Sequence, residues 1–280
     1  MSLSIATNIL SIEAQHRLSR SRVEYISSYM RLSSGSQVNR AADDAAGFAI
    51  SAKFTSQLRS LGAAERNITF GISFIQTAEA GLNEVSSVLQ KMNELAVKAS
   101  NEVLSDSARS IINQEFIELK KEMDSVSESV DFNGIKLLDG TLTSISVNVG
   151  LEKSVEISGL ISVNSAEIGV GGSSSKSINE ISLLDASDSL DAVKTIGQAL
   201  SQVIASRAKI ASSQNRLEAT QRANEVISES LNGARSRIRD TDVAAETARL
   251  AKYDLLQSSG SKILVKTNSL PYSVVSALLR

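Results

Sequence analysis

The chain has 280 residues, a formal net charge of -2, no Cys, no Trp, and only 4% aromatic residues. Charges of both signs are interspersed, which excludes the basic stripe that nucleic acid requires; the lack of Cys excludes a disulfide framework and a thiolate metal site. Pro271 is the single proline where ordinary usage gives roughly 14, so long uninterrupted helices are permitted almost everywhere.

The first ten residues, Met1 to Leu10, contain neither a cationic leader nor a long apolar run, so they do not read as a conventional signal peptide. No stretch approaches the roughly 20 apolar residues of a membrane span. On composition alone the chain reads as cytoplasmic. The N-terminal segment carries a helical stripe of Ile5, Ile9, Ile12, His16, Ser19, Val23, Ile26 and Met30, spaced alternately by three and four.

The strongest periodic signal begins at Gly47. It continues through Ile50, Phe54, Gln57, Leu61, Ala64, Ile68, Gly71, Ile75, Ala78, Leu82, Val85, Leu89, Met92, Ala96 and Ala99, with thirteen of the sixteen positions apolar. A spacing of 3.5 sustained this long predicts a coiled-coil seam on a helix on the order of 80 Å long. Asn101 to Asp106 breaks the helix, with Ser105 as the next N-cap. A second seam follows at Ile112, Phe116, Leu119, Met123, Val126 and Val130, and ends in the turn signal Asp131-Phe-Asn-Gly134.

From Thr141 the period changes to two. Ile145, Val147 and Val149, then Val155 and Ile157, predict a small β-hairpin. Gly169 to Ser175 is a Gly/Ser-rich loop and the best candidate for a sequence-tolerant tip. Helical spacing resumes near Ser189 with Val193, Ile196, Leu200, Val203, Ile210 and Leu217, then Ile227, Leu231, Ala234 and Ile238; Arg207 and Gln214 fall on this seam. At the C-terminus Leu256, Ile263, Leu270 and Ala277 lie seven apart. Two terminal amphipathic helices most simply pair with each other, and their apolar stripes stay exposed unless a partner covers them. The expected fold is mainly α: an elongated coiled-coil-like bundle with a small β-hairpin region and paired N- and C-terminal helices at one end.

No catalytic constellation is expected. His16 is the only histidine, which leaves no His-based triad or multi-histidine metal site; it reads as a polar residue on the N-terminal seam. Gly169, Gly171 and Gly172 have no following Lys-Ser/Thr, so they do not make a phosphate loop. Asp43-Asp44 and Asp240-Thr-Asp242 read as helix-terminal or solvated carboxylates, close to Arg40 and Arg239, rather than as metal or acid/base groups. Arg235, Arg237 and Arg239, interleaved with Asp240 and Asp242, suggest a mixed-sign surface for pairing between subunits. No cofactor is expected.

Arg31-Leu-Ser-Ser-Gly35 followed by Asn39-Arg-Ala-Ala-Asp-Asp-Ala-Ala-Gly47 resembles the N-terminal signature of bacterial flagellins. So do the blocks Gly71 to Glu79, Leu89 to Val97 and Phe132 to Gly140, and on the C-terminal side Gln214 to Glu218, Ala234 to Asp242 and the tail Ser276 to Arg280. They lie in the family's order over nearly the whole chain.

The resemblance implies an inner domain of terminal helices, residues 1–43 plus 238–280, and a helical bundle with β-hairpin over 44–237. About 50 residues, roughly 141–190, separate the N- and C-terminal blocks, which implies a short form without outer variable domains. The implied function is that of a structural subunit polymerising into the flagellar filament for motility, with no enzymatic activity. Assembly would be carried by the terminal stripes: Ile5, Ile9, Ile12, Val23, Ile26, Leu256, Ile263, Leu270 and Ala277. The implied location is extracellular, after export of the unfolded chain through the flagellar channel without a cleaved signal. Implied partners are further copies of itself, the filament cap, hook–filament junction proteins and an export chaperone. A vertebrate Toll-like receptor also binds many members, and the matching positions here are Gln90, Lys91, Leu95 and Glu115. The sequence departs from the usual pattern at Lys91 and Asn93, where arginine is common; Lys keeps the charge but loses the planar fork of donors. Rival readings are a hook–filament junction protein of the same superfamily, a cytoplasmic coiled-coil scaffold and, weakest, an enzyme.

Overall fold

The computed structural model describes residues 7–150, 153–169 and 176–278, with side chains described to residue 269. Ile5 and the loop residues 170–175 lie outside the described residues, as do the side chains of Leu270 and Ala277. Five α-helices occur among them: α1 (Ile9–Ser34), α2 (Ala45–Ala99), α3 (Asp106–Ser129), α4 (Ala186–Arg239) and α5 (Val243–Leu278). Between α3 and α4 lie two antiparallel hairpins, β1 (Asp131–Phe132) with β2 (Ile135–Lys136), and β3 (Ser144–Gly150) with β4 (Lys153–Ser158). The chain divides into two compact units. One holds the described parts of Met1–Leu58 and Glu229–Arg280, and the other is Arg59–Ser228.

The Arg59–Ser228 unit is built on the α2 seam. From Leu61 to Ala99 every apolar position of the heptad is buried, and Ile75, Leu82, Leu89 and Met92 have no exposed surface. Gly71 is on the seam because Val147 and Leu217 come so close that an added Cβ would lie 3.2 Å from each. Ser105 caps α3 by accepting from the Ala108 amide at 3.3 Å. The break before it is closed by a side chain that periodicity does not mark. Arg109, 7% exposed, donates from Nε to the Ala99 carbonyl at 3.0 Å and from Nη2 to the Asn101 carbonyl at 3.0 Å. The Ala99 carbonyl would otherwise be orphaned at the helix C-terminus, whereas that of Asn101 also accepts from the Leu104 amide at 3.1 Å.

Asn133 and Gly134 both take positive φ, 53° and 79°, so the predicted turn is the I′-like tip of the β1–β2 hairpin. In the second hairpin Val149, Val155 and Ile157 face the core. Two further ties fix the hairpin to the helices: Asn67 donates to the Asn148 carbonyl and Asn224 to the Val149 carbonyl. Lys120 bridges α3 to the segment before α4, donating from Nζ to the carbonyls of Asn179 and Ile181 at 3.1 and 2.6 Å while Nζ stands 5.1 Å from the Phe116 ring centroid.

Two expectations are corrected. On α4 the sequence reading holds at Ile196, Val203, Ile210 and Leu217, but the alternate seam positions lie one residue earlier than read. It buries Ala192, Ile196, Ala199, Val203, Ser206, Ile210, Ser213 and Leu217, whereas Leu200, Arg207 and Gln214 are half-buried. A small residue recurs every seventh position at 192, 199, 206 and 213, which lets neighbouring backbone approach. Ser206 uses its hydroxyl there, donating to the Gly159 carbonyl. The α2 seam is also shorter than its periodicity: Ile50 is exposed and Phe54 half-buried, and on α4 Ile227 is exposed. The stripe persists in sequence where the described residues leave it uncovered.

A candidate assembly surface on the terminal helices

In the unit that holds both chain ends, α1 and α5 pack antiparallel along most of α1, with Asn8 beside Thr267, Leu18 beside Gly260 and Arg31 beside Glu246. The faces that meet are heptads of mostly small or polar side chains. On α1 the covered positions are Ser11, Ala14, Leu18, Ser21, Tyr25 and Ser28; on α5 they are Glu246, Leu250, Tyr253, Gln257, Gly260, Leu264 and Thr267. The fully buried members are Ser11, Ser28, Glu246 and Thr267, all of them polar. Glu246 lies 3.0 Å from Arg249 and 4.0 Å from Arg31.

The apolar stripes are rotated away from this contact. Ile9 is 70% exposed and Ile263 58%, and Ile12, Val23, Ile26 and Leu256 are exposed as well. Sequence reasoning did not mark Leu10, Tyr29, Leu255 and Val265, which widen the stripes; all four are exposed. Each adjoins a marked position or lies one or two residues from one, so a wider apolar arc would have found them.

The ends of the paired helices are set by a junction of backbone bonds and carboxylate caps. Gly35 ends α1 with φ of 65°, the left-handed stop that favours glycine. The Gln37 amide donates to the Arg239 carbonyl at 2.6 Å and the Thr241 amide to the Gly35 carbonyl at 3.0 Å, around a bridge of Ser36 with Asp240. Asp44 accepts from the amides of Ala46 and Gly47, and Asp242 from those of Ala244 and Ala245, so each caps the helix that follows. Asp43 accepts from the amides of Arg40 and Asn39; the Arg40 amide is the main cause that holds its carboxyl below the usual value. At Gly47 an added Cβ would meet the Asp44 carboxylate at 2.3 Å and Ile238 at 3.2 Å. These contacts tie the first turns of α2 and the last turns of α4 to the chain ends, and the compact units accordingly divide within those helices.

Of the four positions matched to receptor contact, Gln90, Lys91 and Glu115 are exposed, while Leu95 is 7% exposed in the α2 seam. Among the described residues no group of three or more His, Asp or Glu side chains could hold a metal. No described helix is long and apolar enough to cross a membrane.

Two family descriptions match the chain: the bacterial flagellin N-terminal helical region over residues 5–143 and the bacterial flagellin C-terminal helical region over residues 193–278. A flagellin of Halalkalibacterium halodurans is 37% identical over 89% of this chain and 89% of its own length. The chain belongs to the flagellin family. A flagellin of Bacillus subtilis is 34% identical over 99% of this chain and 100% of its own length. A flagellar filament 31.3 kDa core protein of Treponema maltophilum is 35% identical over 89% and 90%. In three dimensions the chain is similar to a protein described as flagellar hook-associated, from Vibrio parahaemolyticus, with a TM-score of 0.61 at 16% identity over 71% of this chain and all of that one. At that identity the likeness concerns the fold. The two matched regions contain α1 and the described α5 between them.

Proposed function

We propose that this flagellin acts as the structural subunit of a flagellar filament and that its terminal stripes are the surfaces by which copies associate. The observation that carries the reading is the rotation of Ile9, Ile12, Val23, Ile26, Leu256 and Ile263 away from the α1–α5 contact. An apolar face of this extent needs a cover, and a helical homopolymer supplies one from neighbouring copies. Ile5, Leu270 and Ala277 would extend the same stripes.

In this reading residues 1–43 with 238–280 form the innermost layer and 44–237 the next. The short stretch between β4 and α4 leaves no room for an outer domain. The chain would leave the cell unfolded and work outside it. A cytoplasmic chaperone shielding α5, the filament cap and the hook–filament junction proteins are its other proposed partners. Receptor contact through Gln90, Lys91 and Glu115 is a further proposal; Leu95 would contribute only the small part of its surface left open. The test is a truncation lacking residues 256–280, followed by seeding and negative-stain microscopy. A folded, soluble chain that makes no filaments is the expected result, and filaments from the truncation would overturn the mechanism.

A further inference from the structure

The only proline sits inside a helix. Pro271 falls within α5, which runs to Leu278. An α-helix bonds each amide to the carbonyl four residues back, and proline has no amide hydrogen. The carbonyl that loses its ladder donor is therefore that of Thr267. This carbonyl accepts instead from Asn8 Nδ2, at 2.9 Å, across 259 residues of sequence.

Asn8 is at the same time the N-cap of α1, its Oδ1 accepting from the Ser11 amide at 3.1 Å. One turn of α1 onward, the Ser11 hydroxyl donates to Asn268 Oδ1 at 2.6 Å. Both Ser11 and Thr267 are buried. A two-sided amide, with one atom turned to each helix, thus joins the start of α1 to the single gap in the α5 ladder.

We infer that Asn8 and the Thr267 carbonyl, freed by Pro271, form a register lock that fixes the axial alignment of α1 against α5. The remaining contact face specifies register weakly: its buried members are small or polar, and its larger side chains, Leu18 and Tyr25 on α1 and Leu250, Tyr253 and Leu264 on α5, are only half-buried and sit at heptad positions, so a slide of one heptad still finds them partners. A hydrogen bond to one particular carbonyl specifies one alignment. The alignment decides where the α1 stripe stands relative to the α5 stripe, so Asn8 is a positioning residue for assembly. This last step rests on the proposed function; the lock itself does not.

The absence of native Cys allows a direct readout of register. A Cβ placed on Gly260 would lie 4.0 Å from the Leu18 Cβ, within disulfide reach. The experiment uses the full chain carrying Leu18→Cys and Gly260→Cys, oxidised after seeding, with cross-linked fraction scored in soluble and pelleted material. Asn8→Asp keeps the capping oxygen and removes the donor, which circular dichroism of α1 content verifies. With Pro271 present, it should lower cross-linking by about threefold or more, whereas in a Pro271→Ala background, where Thr267 regains a ladder donor, the same change should have little effect; such coupling is the signature of a direct pair. An equal loss in both backgrounds, no loss in either, or no cross-link in the parent pair would overturn the lock. If the cross-link behaves as expected but no parent material pellets, the lock stands and the assembly reading fails.

Discussion

Replacing Ile263 by Ser separates association from folding. Full burial of an Ile side chain contributes about 1.5–3 kcal/mol. Ile263 is 58% exposed in the chain alone, so covering the remainder in a polymer is worth about 1–2 kcal/mol per subunit. Each 1.4 kcal/mol is a factor of ten in affinity, so the critical concentration for polymerisation should rise roughly 5- to 30-fold. The single chain should lose less than about 0.5 kcal/mol, the usual range for a surface change. Ile75→Ala is the control: Ile75 is buried completely in the Arg59–Ser228 unit and should cost about 2–5 kcal/mol of folding stability. Thermal melts of soluble protein and sedimentation of polymer across a concentration series measure the two quantities. An Ile263→Ser chain that melts as early as Ile75→Ala, or that polymerises at the parent concentration, would refute the reasoning.

Three other outcomes follow from buried contacts and from charge. Arg109→Met keeps the hydrocarbon stem but strands the carbonyl of Ala99, while that of Asn101 keeps the Leu104 amide, and should lower unfolding free energy by about 1–3 kcal/mol in a urea titration. Gly81→Ala would press a methyl to 2.7 Å from Leu138 and 2.8 Å from Val130, an overpacking cost of about 1–3 kcal/mol visible as a lower melting temperature. Asp139 has its carboxyl held below the usual value, first by the Thr141 hydroxyl and then by the Thr141 amide. A lowered folded value means that its stabilisation is complete above the unfolded value of 3.8 and fades as pH falls through the folded one. Parent and Asp139→Asn should therefore differ in stability at neutral pH and converge in acid, as followed by melts over a pH series.

Much of the Arg59–Ser228 unit could be read from sequence because large aliphatic residues on a strict 3.5 spacing have few alternatives. The α2 seam from Leu61 to Ala99, the Ser105 cap and the Asn133-Gly134 turn are of this kind. On α4 the large aliphatic positions Ile196, Val203, Ile210 and Leu217 were legible in the same way, and the alternate positions were missed for the complementary reason. Ala192, Ala199, Ser206 and Ser213 are covered because they are small, and a hydrophobicity pattern ranks Leu200 above them. The α1–α5 contact hides in the same way, since Ser11, Ser28, Gly260 and Thr267 carry no apolar signal. Arg109, Lys120 and Asn8 were illegible on other grounds: each serves a main-chain carbonyl whose need arises only once the chain has folded. The exposed stripes could be listed from sequence, but their rotation away from the partner helix depended on knowing which face the small residues claimed.

That the chain ends meet through hydroxyls, an amide and a glycine also bears on when they become ordered. The larger side chains of that contact, Leu18, Tyr25, Leu250, Tyr253 and Leu264, are only half-covered, so the hydrocarbon withdrawn from water is modest and the clasp is weaker than an aliphatic core of the same length. On the proposed function, a seat walled by neighbouring copies would add the apolar burial that this contact lacks. Under that proposal the weak clasp and the uncovered stripes act together, since the tails would be firmly held only where other copies already stand.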